Sequence, residues 1–274
     1  MWWYKFLAFL LFISFFQGKA QLNNPQIDDG TQEGWHWYYY HDSINSEPLS
    51  LNIIIVNPDH FIPDLFQLND SLFHTSHAAR SNKATFAINA GFFNVKEGGS
   101  ASFFQDEGKI VSGKVNDNSF ISKNAIAIKR NGTVHFLEKP KNGWIRLGKY
   151  KDILATGPLL IMENIDLPID TIPFNTKRHP RSAIGQTKEG KIILLTADGR
   201  NNQSVGLTIN ELQTLMKELG CINAINLDGG GSSTLFINGR TENGVVNYPS
   251  DNKTFDHYGE RKVGSILLFK EKRN

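Results

Sequence analysis

The sequence predicts an α/β protein: a single domain with a mixed, strand-rich sheet core and few helices. Short apolar runs recur along the chain, and several end in Asn or Asp followed by Gly, as buried strands do where they leave a sheet. Two pairs of runs flank Asn131-Gly132 and Lys188-Glu189-Gly190, sequences typical of β-hairpin turns. One segment, residues 208–220, stands out by placing apolar residues at helical spacing.

Residues 1–20 have the pattern of a secretory signal peptide. Lys5 gives the start a positive charge, residues 6–16 form an apolar run, and Gly18-Lys19-Ala20 places small residues where a signal peptidase cleaves. A membrane-spanning helix needs about 20 apolar residues, so this run is too short for an anchor. We therefore expect cleavage near Ala20, export to the periplasm or the medium, and no stable membrane insertion of the mature chain.

The mature chain is expected to be formally neutral. The sequence has 29 Lys and Arg against 27 Asp and Glu, and Lys5 and Lys19 of the signal peptide account for the excess. No basic run follows, which argues against a nucleic-acid partner. Cys221 is the single cysteine, so no intramolecular disulfide can form, and its place before an apolar run predicts a small buried thiol rather than a nucleophile.

Residues 21–83 are expected to supply N-terminal strands and loops that pack on the core. The aromatic run 35–40 predicts an edge strand whose rings cover the core, with a sugar-stacking surface as the alternative. The apolar run 51–56 predicts a buried strand, and residues 74–80 predict a short helix.

Residues 84–274 contain the more regular part of the chain and are predicted to form one globular domain together with residues 21–83. Thr208 and Glu211 form a capping-box sequence at the start of the predicted helix, and Gly220 ends it. Strands are predicted at the apolar runs 84–90, 126–129, 134–137, 153–162, 182–186, 191–197, 222–227, 234–237 and 263–269.

Three of these strands end in a polar side chain followed by glycine: Asn89, Asp198 and Asp228. Each run before them is almost entirely apolar, which predicts a strand buried on both faces. In open α/β sheets, ligands bind beyond the carboxyl ends of such strands. A single Asn or Asp before Gly is as easily a plain turn, but three together predict a shared site.

Further polar groups are expected around this site. Asn226 and Asp228 are two residues apart and so point to the same face of their strand. Arg181 is a candidate partner for Asp228 or for a phosphate, with a surface arginine at a strand start as the alternative. The segment 229–233 offers amides without Cβ obstruction and two hydroxyls, which suits an anion nest, although a flexible loop has the same composition. These residues are Gly229, Gly230, Gly231, Ser232 and Ser233.

At these residues the sequence resembles the phosphodiester glycosidase family. The similar segments, in family order from about residue 84 to 270, are Asn89-Ala90-Gly91-Phe92-Phe93, Arg181-Ser182-Ala183-Ile184-Gly185, Ala197-Asp198-Gly199-Arg200, Ala224-Ile225-Asn226-Leu227-Asp228-Gly229-Gly230-Gly231-Ser232-Ser233, Tyr248-Pro249-Ser250-Asp251 and Glu260-Arg261-Lys262-Val263. The resemblance implies hydrolysis of the glycosyl–phosphate bond of a sugar phosphodiester. It makes residues 84–274 the catalytic region and a glycan or sugar phosphodiester the substrate.

The resemblance also implies roles for individual residues. The expected catalytic residues are Asp198, Asp228, Arg181 and Asn89, with one of the two aspartates attacking the anomeric carbon or activating a water. The expected substrate- and phosphate-binding residues are Gly229, Gly230, Gly231, Ser232, Ser233, Asn226, Asp251 and Arg261. Arg200 is given less weight than Arg181, because the family is expected to vary there. No cofactor is required, a divalent cation is compatible with the carboxylates, and the alternative function is a non-catalytic sugar-phosphate-binding protein.

Overall fold

Strands dominate the fold of this protein. The structure, a computed structural model, describes residues 26–28, 34–44, 46–68, 71–145 and 147–272, so the predicted signal peptide lies outside the described residues. The helices within these ranges are α1 (Thr75–Ser81), α2 (Pro173–Thr176) and α3 (Ile209–Glu218), with short 3-10 turns at Phe120–Ser122 and Gly230–Ser232.

The strands within the same ranges are β1 (Gln26–Asp28), β2 (Trp35–Ile44), β3 (Glu47–Val56), β4 (Phe61–Gln67), β5 (Phe73–His74), β6 (Phe86–Asn89), β7 (Phe103–Asp106), β8 (Lys109–Gly113), β9 (Asn124–Ile128), β10 (Val134–Glu138), β11 (Asp152–Thr156), β12 (Leu159–Met162), β13 (Ile165–Asp166), β14 (Arg181–Thr187), β15 (Ile192–Ala197), β16 (Cys221–Asn226), β17 (Leu235–Ile237), β18 (Lys262–Val263) and β19 (Ser265–Glu271). The prediction of a strand-rich core with few helices is confirmed.

The strands form one large sheet and three smaller ones. The large sheet has the order β1-β2-β3-β15-β14-β16-β12-β13, and the others are β10-β9-β11-β7-β8, β17-β6-β19-β4 and β18-β5. Every strand pair in the described ranges is antiparallel, which differs from the mixed sheet expected. The reason is that hairpins such as β2–β3, β9–β10 and β14–β15 build the sheets, and a hairpin reverses the chain.

Local sequence signals placed the hairpins and the main helix correctly. Gly132 and Gly190 turn the β9–β10 and β14–β15 hairpins with φ values of +85° and +83°. At the start of α3, the Thr208 hydroxyl oxygen accepts a hydrogen bond from the Glu211 amide at 3.1 Å, and the Glu211 carboxylate accepts one from the Thr208 amide at 2.9 Å. The predicted capping box is therefore confirmed.

The central strands of the large sheet are buried on both faces. On β3, Ile54 and Val56 belong to the core shared with the two medium-sized sheets, whereas Leu51 and Ile53 belong to the core shared with α3. Burying one such side chain stabilises the fold by about 1.5–3 kcal/mol. This arrangement explains the near-continuous apolar runs, which predicted strands buried on both faces.

The aromatic run 35–40 forms the first part of β2, which is not an edge strand. The three-residue strand β1 pairs with Trp37, Tyr38 and Tyr39 on one side, and β3 pairs along the other. Trp35 and Tyr40 are buried as expected, while the rings between them remain partly exposed or exposed.

Within the described ranges, no helix has the length and apolar character needed to cross a membrane.

Candidate active site

The ends of β6 and β16 meet through the side chain of Asn89. Asn89 is fully buried, and its Nδ2 donates to the carbonyl oxygen of Asp228 at 2.5 Å. Its Oδ1 accepts from the Ser182 hydroxyl at 2.6 Å and from the Thr234 amide at 3.1 Å. Asn89 therefore fixes the backbone at Asp228 and joins three chain segments, so two of the three predicted strand ends come together.

Asp228 is a half-buried residue whose carboxylate lies at the base of the glycine loop, residues 229–233. Its Oδ1 accepts from the Gly229 amide at 2.9 Å. Desolvation by the surrounding residues raises the pKa of Asp228 to about 6, although the Ser232 hydroxyl, the Gly229 amide, Arg261 and Arg200 all act to lower it. A carboxylate with this pKa gains and loses its proton close to neutral pH, as a catalytic acid or base must.

Asp198 lies close by but faces the protein interior. Its Oδ2 accepts from the Ser50 hydroxyl at 2.6 Å, and its Oδ1 accepts from the Asn247 side chain and the Tyr248 amide, both at 2.9 Å. The residue is 1% exposed. Burial raises the pKa of Asp198, against the lowering effect of these hydrogen bonds. Both carboxylate oxygens are thus occupied in holding β3 and the segment after β17 to the end of β15.

The hydrogen bonds of the Arg181 side chain go to backbone carbonyls rather than to Asp228. It is 1% exposed, its Nε donates to the Leu207 carbonyl at 2.8 Å, and one terminal nitrogen donates to the carbonyls of Phe174 and Lys177 at 2.6 and 3.0 Å. Burial, followed by repulsion from Arg200, lowers the pKa of Arg181 to about 10. Because Ser182 points to Asn89 and strand residues alternate, Arg181 points to the face of β14 opposite to Ser182, where it ties α2 to β14.

The glycine loop offers fewer free amides than the predicted anion nest. The Gly229 amide donates to Asp228, the Gly230 amide to the Pro180 carbonyl at 2.8 Å, and the amides of Ser232 and Ser233 to carbonyls within the loop at 3.2 Å. In the described part of the chain, the Gly231 amide alone of these five has no acceptor. The loop is therefore a tight 3-10 turn that leaves one amide for a ligand.

Asn226, at the end of β16, and the loop's own Ser232 and Ser233 are at most 1% exposed. The Asn226 side chain donates to the carbonyls of Gly157 and Leu227 at 2.8 and 2.6 Å, which fixes the end of β16. The Ser233 hydroxyl has no hydrogen-bond partner among the described residues. Asn226 therefore supports the end of β16 before the loop, whereas Ser232 adds a buried hydroxyl next to Asp228.

Two arginines lie directly against the glycines. A Cβ placed on Gly230 would come within 2.8 Å of Nη2 of Arg200, and one on Gly231 would come within 2.6 Å of both Nη2 of Arg261 and Oδ1 of Asp251. Arg261 Nε donates to the same Asp251 oxygen at 2.9 Å. The exposed Arg200 forms no hydrogen bond or ion pair with the residues that the structure describes. A side chain at either position would have to displace these guanidinium groups.

The structure thus gathers Asn89, Asp228, the glycine loop, Asp251 and Arg261 at one end of the large sheet. Asp198 is adjacent but enclosed, and Arg181 is buried with its donors bound to backbone carbonyls. Arg200, given less weight from the sequence than Arg181, reaches the loop together with Arg261. Its left-handed backbone, with φ of +66°, sends the chain back over Gly230. The only sequence signal for this was its place directly after Asp198-Gly199.

A separate acidic cluster could hold a cation. One oxygen from each of Asp64, Glu107 and Asp152 lies within 4.8 Å of the others. The ammonium group of Lys151 is 2.7, 3.0 and 3.3 Å from these three carboxylates and already neutralises part of their charge. Asp152 starts β11 and Thr156 ends it beside Asn226, so the cluster is about 13 Å from the candidate active site at 3.3 Å per strand residue.

Comparisons with known proteins show which sequences and folds this chain resembles. The family model for phosphodiester glycosidases matches residues 82–270. Mouse N-acetylglucosamine-1-phosphodiester alpha-N-acetylglucosaminidase is 29% identical over 203 residues, which are 68% of this chain and 38% of the mouse protein. The uncharacterized SPbeta prophage-derived protein YomE of Bacillus subtilis is 44% identical over 68 residues, 25% of this chain and 11% of that protein. The chain therefore spans well under half the length of these relatives.

A solved structure has the same fold. The catalytic domain of the zebrafish N-acetylglucosamine-1-phosphodiester alpha-N-acetylglucosaminidase, described as auto-inhibited by its pro-peptide, superposes with a TM-score of 0.69 at 20% identity. The match covers 93% of this chain and 87% of that domain.

Proposed function

Since the chain belongs to the phosphodiester glycosidase family, we propose that it hydrolyses the glycosyl–phosphate bond of a sugar phosphodiester, releasing the free sugar and a phosphate monoester. One observation carries this proposal: the carboxylate of the half-buried Asp228 lies at the foot of a loop on which two guanidinium groups rest. The carboxylate can act on the sugar, and the guanidinium groups can hold the phosphate.

The chemistry of the leaving group explains why this site needs cations more than a second carboxylic acid. An ordinary glycosidase must protonate a poor alkoxide leaving group. A phosphate monoester leaves more readily, so the main requirement is to neutralise charge on the phosphoryl oxygens. Arg200, Arg261 and the Gly231 amide are the groups in position to do this, since guanidinium–phosphate contacts are charge-assisted hydrogen bonds.

We assign the reacting carboxylate to Asp228 rather than to Asp198. Asp198 has both oxygens occupied by buried donors, whereas Asp228 is partly exposed and has a pKa of about 6. Asp228 then attacks the anomeric carbon or takes the proton of a water that does so. Asp251, which holds Arg261 in place, and Asn89, which fixes the Asp228 backbone, serve as positioning residues.

The pH profile tests the protonation state that this role requires. Asp228 must be ionised to attack or to accept a proton, so kcat/KM should fall as pH drops through about 6, approaching tenfold per unit below it. If the protonated form were the active one, the fall would occur above pH 6 instead. Measuring kcat/KM from pH 4 to 8 decides between them, with thermal unfolding at each pH to show that the enzyme stays folded.

Gly231→Ala should reduce activity without unfolding the protein. Its Cβ would collide with the ends of two flexible side chains, Arg261 and Asp251, and these can swing away at little cost to stability. The guanidinium group would then leave the phosphate position, and we expect kcat/KM to fall roughly tenfold or more. Gly148→Ala is the matched control, because its Cβ would meet nothing within 4 Å. Equal effects of both substitutions would contradict the assignment of Arg261.

A panel of glycosyl phosphodiesters, scored by release of reducing sugar, tests the function itself. We propose N-acetylglucosamine-1-phosphodiesters as the first members, because the mouse relative is named for them. Binding of these compounds without hydrolysis would favour the alternative, a sugar-phosphate-binding protein using the same cleft. A divalent cation is not assigned a role here. Assays with and without a chelator show whether a cation, for which the Asp64 cluster is the candidate site, affects turnover.

Export is the proposed route to this substrate. The support is the pattern of residues 1–20, in which a positive start, an apolar run and small residues precede the proposed cleavage near Ala20. Expression of the full chain, followed by N-terminal sequencing of the protein recovered outside the cytoplasm, tests this proposal. A mature protein that keeps its first twenty residues would contradict it.

A further inference from the structure

Glu260 is a buried acidic residue directly before Arg261. Its side chain is 7% exposed, whereas the side chain of Arg261 is 35% exposed. A carboxylate is costly to bury unless donors contact it. The segment Glu260-Arg261-Lys262-Val263 is one of those that resemble the family, yet the proposed function gives a role to Arg261 alone. The burial of Glu260 beside a proposed phosphate-binding arginine therefore needs its own explanation.

Ser76, in the first turn of α1, supplies the donors for this carboxylate. Oε2 of Glu260 accepts from the Ser76 amide at 3.1 Å, and Oε1 accepts from the Ser76 hydroxyl. Nδ1 of His74, the residue before the helix, lies 3.7 Å from Oε1. Ser76 is 3% exposed, and amides in the first turn of a helix have no acceptor within the helix. Glu260 therefore satisfies a donor of α1 and is itself fixed by it.

The backbone on both sides of Arg261 is held as well. The strand β18 starts at Lys262 and pairs with β5, the strand that leads into α1. Before Glu260, the Gly259 carbonyl accepts from the Asp251 amide at 3.2 Å. The backbone of Arg261 is thus set by Glu260 on one side and by β18 on the other.

The side chain of Arg261 depends on such a fixed start. Its guanidinium group lies against Gly231, and its Nε donates to Oδ1 of Asp251 at 2.9 Å. The side chain of Asp251 is 39% exposed, and an exposed ion pair alone fixes a long side chain only weakly. A displacement of about 1 Å can reduce the rate of an enzyme a hundredfold. A buried anchor directly before Arg261 limits where the guanidinium group can lie relative to the glycine loop.

Two roles for Glu260 differ in their dependence on Arg261. If Glu260 only caps α1, its loss affects activity by the same factor with or without Arg261. We propose the other role: Glu260 is a positioning residue that acts on the reaction through Arg261. This inference rests on the proposed function for the task of the guanidinium group, whereas the coupling between the two residues is measurable by itself.

A double-mutant cycle tests the positioning role. Arg261→Ala should lower kcat/KM by roughly 10²- to 10³-fold, the usual loss when a charge-stabilising donor is deleted. Glu260→Ala should lower kcat/KM about tenfold in the wild type but less than about twofold in Arg261→Ala, because the group that it positions is then absent. Steady-state kinetics on the four proteins, corrected for the folded fraction by thermal unfolding, measures the coupling. An equal factor in both backgrounds would overturn the inference.

Two further variants decide the matter if Glu260→Ala does not fold. Glu260→Gln should keep kcat/KM within about threefold, because its amide group can accept from the Ser76 amide and donate to the Ser76 hydroxyl. Ser76→Ala removes one of the two hydrogen bonds and should cost about two- to fivefold, but only while Arg261 is present. A loss in Ser76→Ala that persists in Arg261→Ala would contradict the role.

Lys262→Ala is the matched control, since Lys262 follows Arg261 and is exposed. Its kcat/KM should stay within about twofold of the wild type, as for most exposed side chains. A loss equal to that of Glu260→Ala would show that any change in this segment disturbs the site, and the specific role of Glu260 would be wrong.

The measurements separate this inference from the proposed function. If substrates are cleaved without coupling, the proposed function stands and the positioning role fails. If no glycosyl phosphodiester is cleaved, the proposed function fails, and calorimetric titration with inorganic phosphate replaces the kinetics. Phosphate binding that Glu260→Ala weakens in the wild type but not further in Arg261→Ala supports the role. No binding to the wild type, or a weakening that is independent of Arg261, refutes it.

Discussion

Replacing Asp228 by asparagine is expected to lower kcat/KM for glycosyl phosphodiester hydrolysis by roughly 10²- to 10⁴-fold. The substitution keeps the shape of the side chain and removes the charge that attacks carbon or accepts a proton. Asp198 cannot take over this role, because its oxygens are bound by Ser50, Asn247 and the Tyr248 amide at 2.6–2.9 Å. Steady-state kinetics on the best substrate of the panel measures the loss.

The same substitution should leave the fold intact. An asparagine oxygen can still accept the hydrogen bond from the Gly229 amide. Because the pKa of Asp228 in the folded protein is raised to about 6, its charge destabilises the folded state above that pH relative to the unfolded state. A neutral amide removes this penalty, so the free energy of unfolding of Asp228→Asn at pH 8 should equal or exceed that of the wild type.

Asp152→Asn is the matched control for this experiment. Burial raises the pKa of Asp152 to about 6 as well, but Asp152 lies at the far end of β11 from Asn226. Its substitution should leave kcat/KM of the folded enzyme within about twofold and keep the fall in activity below pH 6. If Asp228→Asn retained wild-type turnover, Asp228 would be a structural residue that anchors the glycine loop, and the proposed mechanism would be wrong.

Much of the fold was predictable from the sequence because it depends on interactions between residues that are close together in the chain. The Asn131-Gly132 turn and the Thr208–Glu211 capping box involve neighbouring residues, so their geometry follows from the chain itself. The polar ends of β6 and β16 were also predictable, because an amide or carboxylate beside an apolar run must lie where the strand leaves the core. The all-antiparallel pairing was not, since apolar runs do not encode the direction of their partners.

Which residues of the site react and which are structural depends on contacts between residues that are distant in the chain. A local sequence pattern does not predict such contacts. Asp198 and Asp228 have similar sequence surroundings, yet Ser50 and Asn247, distant in the chain, occupy Asp198 alone. Pro180, likewise, takes the Gly230 amide that the anion-nest prediction assigned to a ligand. Partners of this kind are set by strand register, which a single sequence does not reveal.

Arg200→Ala and Arg181→Ala should have opposite effects, and this pair is the sharpest test of the assigned phosphate site. Arg200 is exposed and touches the glycine loop with its guanidinium group. Its removal should lower kcat/KM by roughly 10²- to 10³-fold, the usual loss when one charge-stabilising donor is deleted. The free energy of unfolding should change by less than about 0.5 kcal/mol, as for most exposed side chains.

Arg181→Ala should instead reduce stability. It would leave the carbonyls of Leu207, Phe174 and Lys177 without their donors and open a cavity beside the Phe174 ring, which the guanidinium carbon approaches to 4.7 Å. Losses of this kind should lower the free energy of unfolding by about 3 kcal/mol or more. Denaturant unfolding should show this decrease, while kcat/KM per folded molecule stays within about tenfold of the wild type.

Arg130→Ala controls for the loss of an arginine as such, because its side chain is 74% exposed and contacts only Glu107 among the ion pairs of the described chain. The decisive comparison is between the change in kcat/KM and the change in the free energy of unfolding. A catalytic Arg181 would give a stable but inactive variant, and a merely solvent-facing Arg200 would give a stable and active one. Either result would contradict the assignment of the phosphate to Arg200 and the glycine loop.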